Sequence, residues 1–522
     1  MLSIKDSLRT SVISKRWFKL VLSHRRVLNF DAHNILGNDN EMIQAGYLKL
    51  KPKPNILRND DEGYPEDILR RDAELLDAEY VIYRSISSET IRYLNLSLCG
   101  VEFVKRVHKY IKNFRGTKID TFMVNFNLNH KLSNIIDQWI SFAFAKGAER
   151  IDLLFCSGEH HRHRRISDTI CYKFPFGLVF GAATSFSSSS MVVKHMHLQH
   201  FLMRGITNKK TNFVDDYFIP FKNLRSFKLE DGIVDDMFIT SLLSNCHLLE
   251  CLSLICCNSK SPMLNIVTSS SSSLCHLEIR SCYFGSSVKN MDELDLQISL
   301  DCLKLTSLDY NKCFKALSYI NTPVLKSISN VFLELDEIPN AFAFYATLPQ
   351  LEILRINLTH LMGAISMRIT QQLKHLKELN LVILLVLERD ISNQHGYDHL
   401  WILNNLQAFP LLQKLGVMVV YPQLFNIQKD IEDLSTFSHN EIKVIEMGGC
   451  VGNQFEIEFA MNVLKYAHRL EQIVMSPYWR RDRDCVVPDW TYDQAWFQSG
   501  REMVREKLHD EVAKRKAKLI LI

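Results

Sequence analysis

The sequence predicts an α/β solenoid, and three observations carry that expectation. A short spelling, with apolar residues at its first, fourth and sixth positions, recurs along most of the chain. Its best copies return at an even step. The stretches between copies are long enough to run back along a second layer.

The clearest copies are Leu224-x-x-Phe227-x-Leu229, Leu249-x-x-Leu252-x-Leu254 and Leu274-x-x-Leu277-x-Ile279, each 25 residues after the last. The spelling returns at Leu305/Leu308/Tyr310, Leu351/Leu354/Ile356, Leu376/Leu379/Leu381, Leu412/Leu415/Val417, Ile442/Ile445/Met447 and Leu470/Ile473/Met475. Weaker copies stand at Val193/Met196/Leu198 and Ile91/Leu94/Leu96. This is the leucine-rich-repeat (LRR) pattern. In its last three positions the residues alternate, so two apolar side chains point inward and the one between them faces out. One such strand cannot bury its apolar face alone. Stacked copies make a parallel sheet, with helices or loops returning on the convex side.

The outward residues between the inward pairs are the candidate target-binding positions: His197, Lys228, Ser253, Glu278, Asp309, Arg355, Asn380 and Glu446. Their mixed signs point to a protein partner rather than a polyphosphate.

Return segments and turns follow from the same logic. Asp236 to Leu249 reads as a helix with Phe238, Leu242, Leu243 and Leu248 apolar. Cys99, Cys257, Cys282, Cys313 and Cys450 stand where such repeats carry Asn or Cys, which predicts small buried residues packing a turn. Asn453-Gln454-Phe455-Glu456 is spelled as a capping box opening a helix with Phe455, Phe459, Val463 and Tyr466. A charged helix around Met503, Val504, Leu508 and Val512, then Leu519 to Ile522 as a last strand, is expected to close the array.

Composition narrows the function classes. At 522 residues the chain exceeds one ordinary core, and 47% hydrophobic with 23% charged residues is the balance of a folded chain. A net charge of +4 argues against a dedicated nucleic-acid or membrane-surface binder. The N-terminus carries no secretory signal pattern. The longest apolar run, Leu379 to Leu387, includes Asn380 and falls short of the ~20 residues a membrane span needs, so it reads as a buried strand. Thirteen cysteines without a CxxC pair indicate a reducing compartment, cytoplasmic or nuclear. No metal, cofactor or catalytic site is expected. The cluster Glu159 to Arg165 interleaves His160, His161 and His163 with arginines that would repel a dication, and reads as an exposed basic loop. His195 and His197 straddle Met196 on a strand and should face out. Ser187–Ser190 and Ser269–Ser273 read as flexible loops.

The first 31 residues read as a separate helical module. Leu8, Val12, Ile13, Trp17, Leu20 and Val21 make one apolar stripe opposite Arg9, Lys15, Arg16 and Lys19. The spelling Leu2-Ser3-Ile4-Lys5-Asp6-Ser7-Leu8-Arg9-Thr10-Ser11-Val12-Ile13-Ser14-Lys15-Arg16-Trp17, followed by Leu28-Asn29-Phe30-Asp31, resembles the second half of a plant F-box. The segment from Ile136-Asp137-Gln138-Trp139-Ile140 to Lys146-Gly147-Ala148-Glu149-Arg150-Ile151-Asp152-Leu153, and Ile442 to Cys450 with Leu470 to Val474, resemble the plant F-box/LRR family of the FBD-associated type. The family's box begins with a Leu-Pro-containing helix that precedes these residues and is not in this sequence. Residues 36–90, broken by Lys51-Pro52-Lys53-Pro54 and Asn59-Asp60-Asp61-Glu62-Gly63, read as a mobile insertion or linker, and the resemblance implies a partial F-box at 1–31. The repeats place the LRR solenoid at 91–440, and the resemblance adds FBD-like repeats with a cap at 441–522. By the same resemblance, Leu8, Val12, Ile13 and Trp17 would dock a Skp-type adaptor and its cullin complex, making the chain a non-enzymatic substrate receptor in a ubiquitin ligase. The competing expectation is a scaffold that binds a target through the same concave face and recruits nothing.

Overall fold

A computed structural model describes residues 26–36, 98–128, 132–155, 171–179, 193–203, 215–259, 261, 263–284, 297–311, 317–333, 337–361, 369–386, 400–424, 438–481, 489–515 and 517–522. The chain divides into two compact units, Met1–Leu249 with Cys257–Ser259, and Glu250–Cys256 with Lys260–Ile522. The adaptor candidates Leu8, Val12, Ile13 and Trp17, the His160 to Arg165 cluster, Ser187–Ser190, the copy at Ile91/Leu94/Leu96 and nearly all of 36–90 lie outside the described residues.

In the first unit, strands β1 (Val27–Asp31), β2 (Thr121–Asn125), β3 (Arg150–Leu154), β4 (His195–Gln199) and β5 (Ser226–Glu230) pair in parallel in that order. Register aligns Leu28, Phe122, Ile151, Met196 and Phe227 in one inward column and Phe30, Val124, Leu153, Leu198 and Leu229 in the next. None of these ten is more than 2% exposed. Residues 27–31, grouped with the helical module on sequence grounds, are therefore the first strand of this sheet: Leu28 and Phe30 alternate, and they bury their side chains only against a neighbouring strand.

Helices α1 (Leu98–Asn113) and α2 (Ser133–Ala145) lie on the return side of these strands. Phe103, Val107 and Tyr110 of α1 and Trp139 and Ile140 of α2 are buried. Aromatic contacts tie the layers: Phe103 stacks on Phe126 at 4.0 Å, and Phe142 meets Phe114 and Phe122 edge-on at 5.5 and 6.1 Å. Cys99 sits in α1, not in a turn after a strand, which corrects the expectation for that thiol. Helix α3 (Asp236–Asn245) starts at Asp235, whose Oδ1 accepts from the Phe238 N–H at 2.8 Å. Phe238, Leu242 and Leu243 are buried as the pattern predicts. Leu248 is 43% exposed because the helix ends three residues before it.

The second unit holds β6 (Cys251–Ile255), β7 (His276–Arg280), β8 (Ser307–Asn311), β9 (Ser327–Leu333), β10 (Ile353–Leu361), β11 (Glu378–Val386), β12 (Lys414–Val420), β13 (Val444–Gly448), β14 (Gln472–Ser476) and β15 (Lys518–Leu521). Each pairs in parallel with the next. The apolar run is thus β11 as far as Val386, with Leu379, Leu381 and Ile383 buried. A bulge in β9 sets two residues, Ser329 and Asn330, against Arg355 alone.

The return side of this unit changes character along the chain. The segments returning from β6, β7 and β8 form a three-stranded parallel sheet, Met263–Val267, Gln297–Asp301 and Leu317–Asn321. Further on, the returns are helical: α4 (Ile338–Tyr345), α5 (Leu400–Asn405), α6 (Gln454–Tyr466) and α7 (Arg501–Lys514). The capping box at Asn453 and Glu456 is present, and Phe455, Phe459 and Val463 are buried. Ser269 and Ser271 share a hydrogen bond at 2.9 Å in an exposed turn, whereas Ser272 is buried. At the end of the unit, Trp496 Nε1 donates to the Ile522 carbonyl at 2.7 Å and fixes β15.

Three of the predicted turn thiols do what the repeat requires. The residues before them adopt left-handed backbone, Cys256 at φ 52°, Ser281 at 51° and Gly449 at 70°, so the chain turns sharply off the strand. Cys257 Sγ then donates to the Leu229 carbonyl at 3.3 Å and Cys282 Sγ to that of Leu254 at 3.2 Å, each one repeat back. Cys450 Sγ reaches its own strand, at the Met447 carbonyl, 3.7 Å. Cys313 lies outside the described residues, and Cys256 is disulfide-bonded.

Candidate functional site

The outward side chains of the parallel strands form the candidate site, and pairing register lines them up. In the first unit the row runs Asn29, Met123, Asp152, His197, Lys228. In the second, one row runs Ser253, Glu278, Asp309, Ser329, and beyond the bulge another runs Arg355, Asn380, Gly416, Glu446, Val474, Ile520. All eight sequence-predicted positions fall in these rows. His197, Lys228, Ser253, Glu278, Asp309 and Asn380 are half-buried, and Arg355 and Glu446 are exposed.

Sequence reasoning missed several members of the rows. The signal for two was present: Ile119-x-x-Phe122-x-Val124 and Ala148-x-x-Ile151-x-Leu153 carry the same spelling around Met123 and Asp152. Asn29 was hidden by its place beside the helical module. Ser329 was hidden by the bulge, which stretches the copy to Leu325, Ile328 and Val331. Gly416 offers no side chain. A Cβ there would come within 2.3 Å of Asn380 Oδ1, so glycine gives the neighbouring amide its room.

The charges on this face are paired with one another. On β3, Arg150 donates to Asp152 at 2.7 Å, and Asp152 is 1% exposed. On β4 and β5, Glu230 lies 3.3 Å from His197 Nε2 and 2.5 Å from Lys228 Nζ. Burial alone would push the Glu230 carboxyl up, but His197 and Lys228 beside it outweigh that and hold it at about 2. In the second unit Arg280 pairs with Glu278, and Lys414 with Glu446 at 2.9 Å. Glu378 accepts from Arg355 at 3.3 Å and from Asn380 at 2.8 Å. Such pairs add little stability each where they are solvated. Their effect is positional: long side chains are held in one arrangement before a partner arrives, and both signs are offered side by side.

A second ladder of charge edges the strands. In the first unit Glu149 takes Lys118 and Lys194 at 2.9 Å each, and these two hold its carboxyl at about 2. In the second, Glu352 pairs with Lys377 at 3.0 Å.

A model of the LRR domain of the At1g61320/AtMIF1 family matches residues 110–512. The chain belongs to the At1g61320/AtMIF1 LRR family. No curated protein matches the sequence. The matched span runs from the end of α1 to α7 and contains the outward rows from Met123 to Val474. An LRR domain of this family presents a surface for protein binding, since stacked repeats offer an extended concave sheet to a partner. No helix among the described residues is long and apolar enough to cross a membrane.

Proposed function

We propose that this chain is the substrate-recognition subunit of an SCF-type (Skp–cullin–F-box) E3 ubiquitin ligase, with its target protein held on the outward face of the LRR strands. The observation that carries the target-binding part is the register-aligned rows of outward residues, whose charges are fixed in pairs of mixed sign. Such a face rewards a partner that complements it residue by residue, and gives a polyanion no continuous positive track. The coupling part rests on the F-box-like spelling at residues 2–17 and on the FBD-like spelling at 442–474. The chain would contribute no chemistry of its own and would act in the cytoplasm or nucleus.

The test is a pull-down of a Skp-type adaptor by the full chain, beside a Trp17→Ala variant. Capture by the wild type that is lost in the variant supports the receptor reading. An adaptor that binds neither leaves the face as an uncoupled protein-binding scaffold.

A further inference from the structure

A cavity of about 200 Å³ opens in the second unit between the end of α4 and the segment that leads into β11. One wall is Tyr345, Ala346, Leu348, Pro349 and Leu351, and the other is Leu373 with Lys374 and His375. Backbone bonds fix both walls. The N–H groups of Ala346, Thr347 and Leu348 donate to the carbonyls of Phe342, Phe344 and Tyr345 at 3.0, 2.9 and 3.1 Å, so the last turn of α4 is capped. Across the opening, the Leu373 N–H donates to the Ala408 carbonyl at 2.9 Å. Tyr345, Leu351 and Leu373 are buried and give the cavity an apolar floor, whereas Lys374 and His375 are exposed at its mouth. The space is far larger than a single water needs.

Charge at this mouth is unbalanced. Glu352, which leads into β10, takes Lys377 at 3.0 Å and Lys326 at 4.0 Å. Lys377 above all, and then Lys326 and His375, hold its carboxyl below the usual carboxylate range. One carboxylate therefore answers three basic neighbours. Glu378, the next acid along the chain, is taken by Arg355 and Asn380. Lys374 has no ion-pair partner among the described residues. The cavity thus joins an apolar floor to a basic rim that the chain does not neutralise.

We propose that this cavity binds a small alkyl carboxylate, its chain against Tyr345, Leu351 and Leu373 and its anionic end at Lys374 and His375. Each half of such a ligand answers one half of the site. The chain buries apolar surface on the floor, worth about 0.8 kcal/mol for each CH₂ covered, and one carboxylate matches one unpaired ammonium. Inorganic phosphate would meet the rim and leave the floor wet. A neutral alcohol would fill the floor and leave the rim uncompensated. A bound ligand would also tie the end of α4 to the lead-in of β11, the strand that carries Glu378 and Asn380. The site is separate from the outward rows and does not depend on the adaptor or target reading.

The experiment is calorimetric titration of the full chain with hexanoate, hexanol and inorganic phosphate. Lys374→Glu, Ala346→Phe, which fills the cavity, and Arg355→Glu, which removes a cation elsewhere, are run alongside, with thermal melts to show that each folds. Hexanoate should bind the wild type and Arg355→Glu alike, weaken about tenfold or more in Lys374→Glu, as the loss of a charge-assisted contact does, and not bind Ala346→Phe. Hexanol and phosphate should each bind about tenfold more weakly than hexanoate, or less. Absence of saturable hexanoate binding, hexanol or phosphate binding as tightly as hexanoate, or an affinity unchanged in Lys374→Glu would each overturn the proposal. Retained binding in a folded Ala346→Phe would overturn it too. Lys374 is exposed, so its variant keeps the fold and carries the test alone if Ala346→Phe does not fold.

Discussion

Within the second unit, the return segment between β6 and β7 and the one between β13 and β14 serve the same purpose with different secondary structure. Both must cover the inward columns of their strands. Behind β6 the chain reads Met263-Leu264-Asn265-Ile266-Val267, with Leu264 and Ile266 buried and Met263 and Val267 exposed, a period of two. Pro262 precedes it and a run of serines follows, so neither flank favours a helix. Behind β13 the chain reads Gln454 to Tyr466, opened by a capping box and rich in helix formers, with Ile457, Phe459, Ala460, Val463 and Leu464 fully covered. The repeat therefore dictates the strand and leaves the return to local sequence. What matters behind the sheet is that apolar surface arrives, by either period.

That equivalence predicts similar, large losses from truncating either layer. Phe459→Ala, at a fully buried position on α6, should cost about 3–5 kcal/mol, and Ile266→Ala on the return strand about 2–5 kcal/mol. Urea unfolding of both variants measures it. A near-neutral Ile266→Ala would break the comparison and show that the small sheet is a cover rather than core.

The helical return carries an additional device, and its pH response has the opposite sign to that of the strand face. Glu456 is 2% exposed and accepts from the Gly452 N–H at 2.9 Å, from Val451 N–H at 3.2 Å and from Asn453 N–H at 3.3 Å. Burial pushes its carboxyl up to about 7, against the pull of those donors. The folded state thus holds this proton more tightly than the unfolded chain, and the contribution of Glu456 to stability declines as pH rises from about 4.5 through 7. Glu230, held at about 2, contributes stability above 4.5 that is lost as pH falls toward 2. Glu456→Gln should remove the first decline. It should also destabilise by about 1–3 kcal/mol, because its amide N–H2 faces backbone N–H groups that need an acceptor. A variant whose unfolding midpoint still falls between pH 4.5 and 7 would assign that slope to another group.

The strands were legible in the sequence because their cause is local: two apolar residues flanking one polar one, repeated. The outward candidates followed directly, since the residue between two inward ones has nowhere else to point. The returns were legible only where a helical period or a cap was spelled out, as from Asp236 and at Asn453. The small sheet behind β6 to β8 was not, because Leu264/Ile266 and Ile298/Leu300 are too short to declare a layer until their neighbours are known. The first three strands were obscured by composition: Phe122, Phe142, Trp139 and Phe103 do the work that leucines do later, so the repeat changed its vocabulary. The ion pairs that fix the face were invisible, because each joins residues on adjacent strands or two apart on one strand and depends on rotamers rather than spelling.

The turn thiols test how strongly the repeat needs its own polar bonds. Cys282→Ala deletes the Sγ donor to the Leu254 carbonyl and little volume, and should cost about 1 kcal/mol. Cys450→Ala, whose bond to Met447 is longer at 3.7 Å, should cost less. The order of the two unfolding midpoints is the measurement. Equal losses would mean that packing volume, not the inter-repeat bond, selects cysteine there.

The smallest effect on stability is expected where the effect on binding should be largest. Arg355 is 53% exposed at its side chain and bonds Glu378 at 3.3 Å, so Arg355→Ala should change stability by no more than about 0.5 kcal/mol. Glu378 keeps the Asn380 amide at 2.8 Å in its absence, so the carboxylate is not stranded. The same substitution removes the cation that heads the outward row beyond the bulge and takes from Glu378 one of its two partners. If the face is the binding surface, target capture should weaken while the melting temperature stays put. If the melting temperature falls by several degrees, Arg355 belongs to the architecture of β10 and β11. The division between an inward side that holds the fold and an outward side that is free to choose a partner would then fail at its best-defined residue.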